Sequence, residues 1–360
     1  MVTIRSPLTR RDFVWQTGAF ATLAALLPGS RRVLAAEPDS NATTGRLKIG
    51  LLGASHSHAL SKAKVLKASP DYQLVGACEE SPDVREQLQT LGIPLLTQGE
   101  LLERAEVVAV ESDNEGHAGH AKTVLRAGKH LHLEKPPTDT LSAFRELQTL
   151  AQQKGRLLQM GYMWRYHPGL NACLEAARQG WLGEIYQVRA TIDTTTTPES
   201  RLRWARFRGG VFFELGCHLV DPLIRLLGRP DKVRGNFQRL GPDRLADNTQ
   251  VTFQFPRALG MVSSAARQPR AQAHRTFEIL GTNGRAVVKP LEPPTLEFDL
   301  HRAAGPYPAG AHAVPLPRYE RYAPELTDLA AAIRDKRALS ITPAEDLLVH
   351  ESFLRACDLD

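Results

Sequence analysis

Residues 127–137, Ala127-Gly-Lys-His-Leu-His-Leu-Glu-Lys-Pro-Pro137, carry the strongest structural signal in the 360-residue chain. The segment predicts a helix that ends at Gly128, then a short apolar strand over 130–133, then the charged pair Glu134 and Lys135. Proline cannot donate to a strand ladder and disfavours helix in the residue before it, so Lys135 is held at the end of this strand. Ligands bind at the carboxyl ends of strands in open α/β sheets, which makes Lys135 a candidate site residue. A Glu-Lys pair on a solvated loop would give the same local sequence.

The segments around this strand predict an α/β fold. The strands of the first half are predicted over residues 47–53, 72–78, 107–110, 130–133 and 156–160. They alternate with helical patterns, which predicts a doubly wound parallel sheet of the Rossmann kind. Ile93–Leu96 is a weaker strand because it contains proline.

The second half predicts an α+β domain with a largely antiparallel open sheet. Alternating strands fall between residues 186 and 281, with Thr282-Asn-Gly284 as a hairpin turn. A proline-rich loop is expected over 290–317, followed by closing helices over 322–336 and 343–356.

The first strand–helix turn is where the pyrophosphate of a dinucleotide would lie, on backbone N–H groups at a helix N-terminus. The usual fingerprint is Gly-x-Gly-x-x-Gly, but this turn is Gly53-Ala-Ser-His-Ser-His58, so only the first glycine is present. The Ser55 hydroxyl and backbone amides can still bind phosphate. Glu79 ends the second strand, where a carboxylate holds a ribose diol, and Glu80 beside it would repel a 2′-phosphate. The sequence therefore favours NAD over NADP.

The strongest element of the second half is Gly209-Gly-Val-Phe-Phe-Glu-Leu-Gly-Cys-His218. Glu214 and His218 are four residues apart, so they share one face of a helical turn. A carboxylate beside an imidazole raises its pKa and fixes its orientation, as a general base for a hydroxyl proton requires. Asp221 adds a second acid on the same side. A structural histidine at a helix cap is the alternative interpretation.

The order of these motifs resembles the Gfo/Idh/MocA family of oxidoreductases, whose members share a Rossmann domain and a C-terminal α/β domain. The resemblance runs from about Leu47 to the end of the chain and includes Glu-Lys-Pro at 134–136. The family's Thr-Pro-Asn-x-x-His loop is matched at Ser112, Asn114 and His117, with aspartate in place of proline. In the segment that ends at His218, a glutamate replaces the family's usual aspartate.

Together the motifs and the resemblance imply a role for each candidate residue. Catalysis is expected of Lys135, beside the nicotinamide, and of His218 as acid/base, held by Glu214. The expected cofactor contacts are Gly53, Ser55, His56, Glu79, Ser112, Asn114, His117, Glu134 and Lys135. The expected substrate contacts are Tyr162, Arg165 and Asp221. The predicted reaction is hydride transfer to or from a hydroxyl-bearing carbon of a sugar or polyol, with a tightly held NAD and no metal.

The N-terminus predicts an export signal. Thr9-Arg-Arg-Asp-Phe13 precedes an uncharged run over 14–27, and either Val33-Leu-Ala35 or Leu34-Ala-Ala36 offers a small-residue cleavage site. The uncharged run is shorter than the roughly 20 residues that span a bilayer as a helix. We expect a protein exported in the folded state by the twin-arginine route, to the periplasm or beyond. The expected divisions are a signal peptide over 1–36, a linker over 37–46, a Rossmann domain over 47–165 and a substrate and oligomerisation domain over 166–360.

The charge and cysteine content exclude several classes of protein. The formal net charge is +6, but five arginines and one aspartate lie within residues 1–36, so only two net positive charges belong to the rest. That is too little for a nucleic-acid or membrane surface. The four cysteines lack the spacing of a metal site or a disulfide framework. The expected partners are a small sugar or polyol, the export machinery and a second copy of the chain.

Three alternatives stay open at the level of sequence. His56, His58, His117 and His120 follow two strands that should be neighbours, so they can form a divalent metal site beside or in place of the nucleotide. A glycosidase, lyase or epimerase that oxidises and re-reduces its substrate on one bound NAD would have the same fold. A non-catalytic binding protein would explain the altered glycine-rich turn.

Overall fold

The N-terminal half forms a five-stranded parallel sheet in the computed structural model, which describes residues 45–358. The predicted signal peptide and nearly all of the predicted linker lie outside the described residues. The elements of this half are β1 (Leu47–Leu52), α1 (Ala59–Ala68), β2 (Tyr72–Cys78), α2 (Pro82–Thr90), α3 (Gln98–Arg104), β3 (Val107–Val110), α4 (His117–Arg126), β4 (His130–Leu133), α5 (Leu141–Gln153) and β5 (Leu158–Met160). The Rossmann-like sheet predicted from the sequence is therefore confirmed.

The strand order of this sheet is β2-β1-β3-β4-β5, and the candidate site lies at the carboxyl ends of its strands. After β1 the chain forms β2 on one side of it and then crosses to form β3 on the other side. The topological switch point therefore lies between β1 and β3. Ligands of open α/β sheets bind at such a point, outside the carboxyl ends of the strands. The turn after β1, the loop after β3 and the Glu-Lys-Pro segment after β4 all meet there.

One strand prediction in this half is wrong. Ile93–Leu96 forms no strand and makes only an isolated parallel bridge between Leu95 and Ala77. The chain forms α3 instead, which the sequence analysis did not predict. The Thr97 hydroxyl accepts from the Glu100 N–H while the Glu100 carboxylate accepts from the Thr97 N–H, and this reciprocal capping box starts the helix.

The second half forms an eight-stranded sheet in the order β13-β12-β11-β10-β6-β9-β8-β7. Every neighbouring pair is antiparallel except β6 and β9, so the predicted antiparallel sheet is confirmed. Its strands are β6 (Ile185–Thr191), β7 (Lys232–Gln238), β8 (Asn248–Gln254), β9 (Leu259–Ala265), β10 (Thr276–Gly281), β11 (Gly284–Val288), β12 (Leu296–Leu300) and β13 (Gly310–Val314). The helices of this half are α6 (Pro168–Arg178), α7 (Pro198–Trp204), α8 (Cys217–Leu227), α9 (Ala323–Arg334) and α10 (Pro343–Ala356).

The loop predicted over 290–317 is wrong, because it contains β12 and β13. In β12 the side chains of Leu296, Phe298 and Leu300 are buried and alternate with Glu297 and Asp299. That alternation is the signature of a half-buried strand.

The last two helices return to the N-terminal half. The Tyr72 hydroxyl on β2 donates to the Leu326 carbonyl on α9 at 2.8 Å, and the Gln148 amide on α5 donates to the Pro343 carbonyl at the start of α10. This return brings Glu325 of α9 to the candidate site. No helix among residues 45–358 is long and apolar enough to span a membrane.

Candidate active site

The turn after β1 keeps the feature that a nucleotide-binding turn needs most. Gly53 has a φ of +72°, and a Cβ there would lie 2.5 Å from the Cβ of Ser112 in the loop after β3. The Ser55 hydroxyl accepts from the Asp113 N–H at 2.9 Å, so the serine in the second glycine position ties the two loops together. His58, in the third glycine position, turns its ring toward Glu134. The first glycine position is thus preserved, and the side chains at the other two positions are held by neighbouring segments.

Glu79 lies beside this turn, as predicted for a ribose ligand. One carboxylate oxygen accepts from the Ala54 N–H, and the other accepts from the N–H groups of Glu80 and Ser81 at 2.8 Å. The carboxylate is therefore already engaged with backbone donors. Arg85, which the sequence analysis did not consider, donates to the Glu79 carbonyl at 3.0 Å and brings a cation to the end of β2.

Lys135 is fully buried at the end of β4, and its ammonium group reaches across to the second half of the chain. Nζ donates to the Glu214 carbonyl at 3.0 Å and to Glu214 Oε1 at 3.2 Å. Burial alone would lower the pKa of Lys135, but Glu214 more than offsets this and the pKa lies above its ordinary value. Burial would raise the pKa of Glu214, but Lys135 and His56 hold it well below its ordinary value. The pair is thus an ammonium and a carboxylate at neutral pH.

The four-residue spacing predicted that Glu214 holds His218, but in the structure Glu214 contacts other residues. Phe212–Gly216 forms a π-helical turn ahead of α8, and its i→i+5 hydrogen bonding widens the turn beyond 3.6 residues. The Glu214 carboxylate lies 3.4 Å from His56 Nε2 and accepts from the Asn114 amide at 3.4 Å. The sequence suggests no such turn, so the side-chain direction could not be predicted.

His218 is buried with its ring among other rings. Its centroid lies 5.2 Å from that of Trp164 and 5.7 Å from that of His58. Burial, with Lys135 and His58 adding to it, holds the pKa of His218 well below its ordinary value, which is opposite in direction to the shift expected from the sequence. Its Nδ1 has no hydrogen-bond partner among residues 45–358. His218 is therefore a neutral imidazole in the resting site.

The three predicted substrate residues lie together, with the Arg165 guanidinium 4.6 Å from the centroid of the Tyr162 ring and paired with Asp221. The Arg165 guanidinium donates to Asp221 at 2.8 Å and to Asp346 at 2.6 Å, and all three side chains are buried. These ion pairs engage Arg165 and Asp221 away from any ligand. Tyr162 is closer to the site, with its ring centroid 6.4 Å from that of His218 and a hydroxyl that has no partner within the described part of the chain.

His117 joins two loops of the site. Its Nε2 lies 2.9 Å from the Ser112 carbonyl, and its Nδ1 lies 2.7 Å from the Pro136 carbonyl. Burial, together with His56, lowers its pKa to about 4. His117 therefore fixes the loop after β3 against the Glu-Lys-Pro segment, which positions Lys135. With its ring engaged in this way, the predicted four-histidine set loses one member.

A buried ionic cluster behind the site was missed by the sequence analysis. Lys62 Nζ donates to Glu111 and to Glu134, both at 2.7 Å, and lies 2.9 Å from His132 Nε2. Glu325 approaches Lys62 at 3.9 Å from α9, and all five side chains are buried. Burial, reinforced by Glu134, raises the pKa of Glu111 to about 8, and the pKa of Glu325 also rises to about 8 despite Lys62.

A signal for this cluster exists in α1. Its buried stripe consists of Ala59, Lys62, Ala63 and Leu66, which places a lysine among apolar residues at helical spacing. A buried lysine requires a carboxylate partner. Glu111 directly follows the apolar strand β3 and is a plain candidate for that partner.

A cleft opens between the two halves beside these residues. From the first half, His56, Ser57 and Asn114 line it, and from the second half Arg203, Trp204 and Glu214 do so. The cleft thus joins the turn after β1 to the carboxylate that pairs with Lys135.

Comparison with known proteins identifies the family to which the chain belongs. Residues 47–162 match a family model described as an oxidoreductase family with an NAD-binding Rossmann fold, and residues 171–287 match the GFO/IDH/MocA C-terminal domain. The fold and site thus define a two-domain NAD(P)-dependent oxidoreductase. The chain belongs to the Gfo/Idh/MocA family.

Relatives with known activities are distant. The scyllo-inositol 2-dehydrogenase (NADP(+)) IolW of Bacillus subtilis is 26% identical over 248 residues, which cover 63% of this chain and 66% of that protein. The D-glucoside 3-dehydrogenase of Escherichia coli is 27% identical over 221 residues, 56% of this chain and 61% of that protein. The structure of UDP-N-acetylglucosamine 3-dehydrogenase GnnA from Acidithiobacillus ferrooxidans superposes with a TM-score of 0.74 at 23% identity, over 87% of this chain and 97% of that one.

Proposed function

We propose that the protein is a dehydrogenase that oxidises a hydroxyl-bearing carbon of a sugar or polyol, or reduces the corresponding ketone, with NAD. The observation that carries the proposal is the buried Lys135–Glu214 pair beside the neutral ring of His218. An ammonium and a neutral imidazole together are what a substrate hydroxyl needs to lose a proton and to have its oxygen stabilised. The inositol and glucoside dehydrogenases among the relatives support this class of substrate.

The roles of the three residues follow from their charges. His218 accepts the hydroxyl proton during oxidation and returns it during reduction, because its imidazole is neutral in the resting site. Lys135 donates to the substrate oxygen as negative charge develops on it. Glu214 is a positioning residue, because it fixes the Lys135 ammonium. A nicotinamide bound in the cleft would supply the hydride acceptor.

The nucleotide would be held by the turn after β1 and the loop after β3. Gly53 gives the backbone its left-handed turn, Ser55 and Ser112 set the two loops against each other, and Asn114 lines the cleft. Glu79 with Glu80 favours NAD, whereas Arg85 at the end of β2 is a cation that a 2′-phosphate can use. Comparing the KM values for NAD and NADP tests this choice directly.

We infer that the protein is exported folded through the twin-arginine pathway, since the paired arginines, the uncharged run and the small-residue site occur in the required order. A tightly held NAD suits this route, because the cofactor can be acquired in the cytoplasm before export. Pairing of two copies through the second sheet stays a prediction. Fractionation of cells that carry Arg10→Lys/Arg11→Lys tests the route, and unchanged export would contradict it.

The first experiment is to purify the mature protein, denature it and identify any released nucleotide by mass and absorbance. Stoichiometric NAD would support the proposal, and sugars and polyols would then be screened for reduction of the cofactor. In that assay His218→Ala should lower kcat/KM by about 10²- to 10⁴-fold while nucleotide binding persists. His301→Ala removes an exposed imidazole elsewhere and should change nothing. Absence of nucleotide together with no thermal stabilisation by added NAD or NADP would overturn the proposal.

A further inference from the structure

Three side chains at the inner end of the cleft have the composition of a metal site. His58 Nδ1 lies 3.2 Å from Glu134 Oε1, and His56 Nδ1 lies 4.0 Å from the same oxygen. One ligand atom from each residue falls within 4.8 Å of the other two. Ligands bound to one ion at about 2.0–2.2 Å lie roughly 3–3.5 Å apart, so small side-chain rotations would close this set around a cation.

The three side chains are sheltered and their partners leave donor atoms free. The side chains of His56, His58 and Glu134 are 4%, 13% and 0% exposed. His56 Nε2 lacks a hydrogen-bond partner among residues 45–358, although Glu214 Oε1 is 3.4 Å away. His218 Nδ1, which likewise has no partner in the described chain, belongs to a ring centred 5.7 Å from that of His58. Buried polar atoms without partners are unusual, but neither of these two nitrogens is one of the proposed ligand atoms, which are the Nδ1 atoms of His56 and His58 and Glu134 Oε1.

The region around the three residues contains more acidic than basic groups. Four carboxyl groups, those of Glu111, Glu134, Glu214 and Glu325, meet the two ammonium groups of Lys62 and Lys135 in one buried region. Because burial raises the pKa values of Glu111 and Glu325 to about 8, both are largely protonated at neutral pH, and the two ammonium groups balance the carboxylates of Glu134 and Glu214. Buried charge without compensation is strongly unfavourable.

The carboxylate is also oriented as a metal ligand should be. Glu134 Oε2 accepts from Lys62 at 2.7 Å and Oε1 accepts from the Lys135 N–H at 3.0 Å. Such outer partners fix the direction of a ligating side chain and raise metal affinity. Ligation through His56 Nδ1 would give up one contact, the hydrogen bond from the His58 N–H at 3.2 Å.

We propose that His56, His58 and Glu134 bind a divalent transition-metal ion at the inner end of the cleft. Two imidazoles and one carboxylate select zinc, nickel, cobalt or iron(II) over magnesium and calcium, which prefer oxygen ligands. This set differs from the four histidines that the sequence suggested, because His117 is held between two carbonyls and Glu134 comes from β4. The site shares His56 and Glu134 with the expected nucleotide contacts, so metal binding and nucleotide binding are measured separately.

The test uses the full mature chain without a histidine tag, freed of metal with EDTA. Isothermal titration with zinc sulfate should show one equivalent bound, and magnesium chloride should show none. Cobalt(II) should give the strong visible absorption of a low-coordinate nitrogen and oxygen site. His58→Gln removes a direct ligand. It should therefore weaken zinc binding by at least about 10- to 100-fold, which is the loss that removal of an outer partner produces. His301→Ala, which removes an exposed histidine, should bind zinc like the wild type.

His56→Ala is the second variant, and thermal melting establishes that each variant is folded before titration. Loss of the zinc equivalent in the folded variants supports the site. Absence of zinc binding in the wild type, or equal binding by the wild type and both variants, would overturn it. Nucleotide binding is measured separately in EDTA, so failure of the metal site and failure of the dehydrogenase proposal give different results.

Discussion

Two buried ionic networks lie on either side of the candidate site, and they differ in balance. The Lys62 network consists of Lys62, Glu111, Glu134 and Glu325, and the Arg165 network consists of Arg165, Arg225, Asp221 and Asp346. The first sets one cation against three acids, whereas the second sets two cations against two acids. Both join segments that are far apart in sequence, so both stabilise the fold. Only the Lys62 network carries surplus acid.

The difference separates a structural network from one that serves a site. The Arg165 guanidinium has a carboxylate on two sides, although its Nη2 and the Nε of Arg225 have no hydrogen-bond partner among residues 45–358. In the Lys62 network, Glu111 Oε2 and both carboxyl oxygens of Glu325 have no hydrogen-bond partner among residues 45–358. Glu134 meanwhile turns its other oxygen toward His58 and the cleft.

The largest effect is expected from Lys62→Met, which removes the single cation of the acid-rich network. Three carboxyl groups would then be buried without a partner, and the free energy of unfolding should fall by about 3–5 kcal/mol. Urea unfolding at pH 7 measures this. Lys64→Met on the exposed side of the same helix is the matched control and should leave the stability unchanged. Equal stability of the two variants would mean that Lys62 does not hold the network together.

Arg165→Met should have the next largest effect, a loss of about 3 kcal/mol, because Asp346 is left unpaired while Asp221 keeps Arg225 at 3.5 Å. If the network is structural, kcat/KM of the folded variant should match the wild type once a substrate is known. A raised KM would instead restore Arg165 to the substrate-binding role that the sequence predicted. Arg156→Met, an exposed arginine, serves as the control for charge removal.

The two networks should also be distinguished by pH. The pKa values of Glu111 and Glu325 rise from 4.5 to about 8, and that of Asp346 rises from 3.8 to about 6, chiefly through burial. An acid with a higher pKa in the folded protein binds more protons when folded, so its contribution to stability is lost as pH rises between the two values. Stability should therefore fall between pH 6 and 8 through the Lys62 network, where Asp346 no longer contributes.

Glu325→Gln tests this window, because the amide cannot ionise. Its stability should fall less steeply than that of the wild type between pH 6 and 8, by up to about 1.4 kcal/mol per pH unit. Urea midpoints measured across this range give the slope. Glu320→Gln at an exposed position should follow the wild type. Parallel curves for Glu325→Gln and the wild type would mean that Glu325 is already ionised in the folded protein.

The same contrast shows what could be predicted from the sequence. Periodicity and turn residues predicted the strands of the parallel sheet, and local motifs selected Lys135 and His218, because these signals depend on near neighbours in the chain. Partners such as Lys62 and Glu325 are 263 positions apart and meet only through the return of α9, which no local pattern encodes. The direction of the Glu214 side chain depends on a π-helical turn that cannot be predicted from the residues that form it. Strand β12, by contrast, carried a readable alternation that its surrounding prolines obscured.

The smallest effect is expected from Arg225→Ala, at the outer edge of the balanced network. Its guanidinium lies 3.5 Å from Asp221, which already accepts from Arg165 at 2.8 Å, so the loss should stay below about 1 kcal/mol. The melting temperatures of this variant and of Arg165→Met would show how much each arginine contributes to neutralising Asp221. A loss as large as that of Arg165→Met would show that both cations are required. The Arg165 network would then be as sensitive to the loss of one cation as the Lys62 network. A balance of charges would no longer distinguish a structural network from one that serves a site.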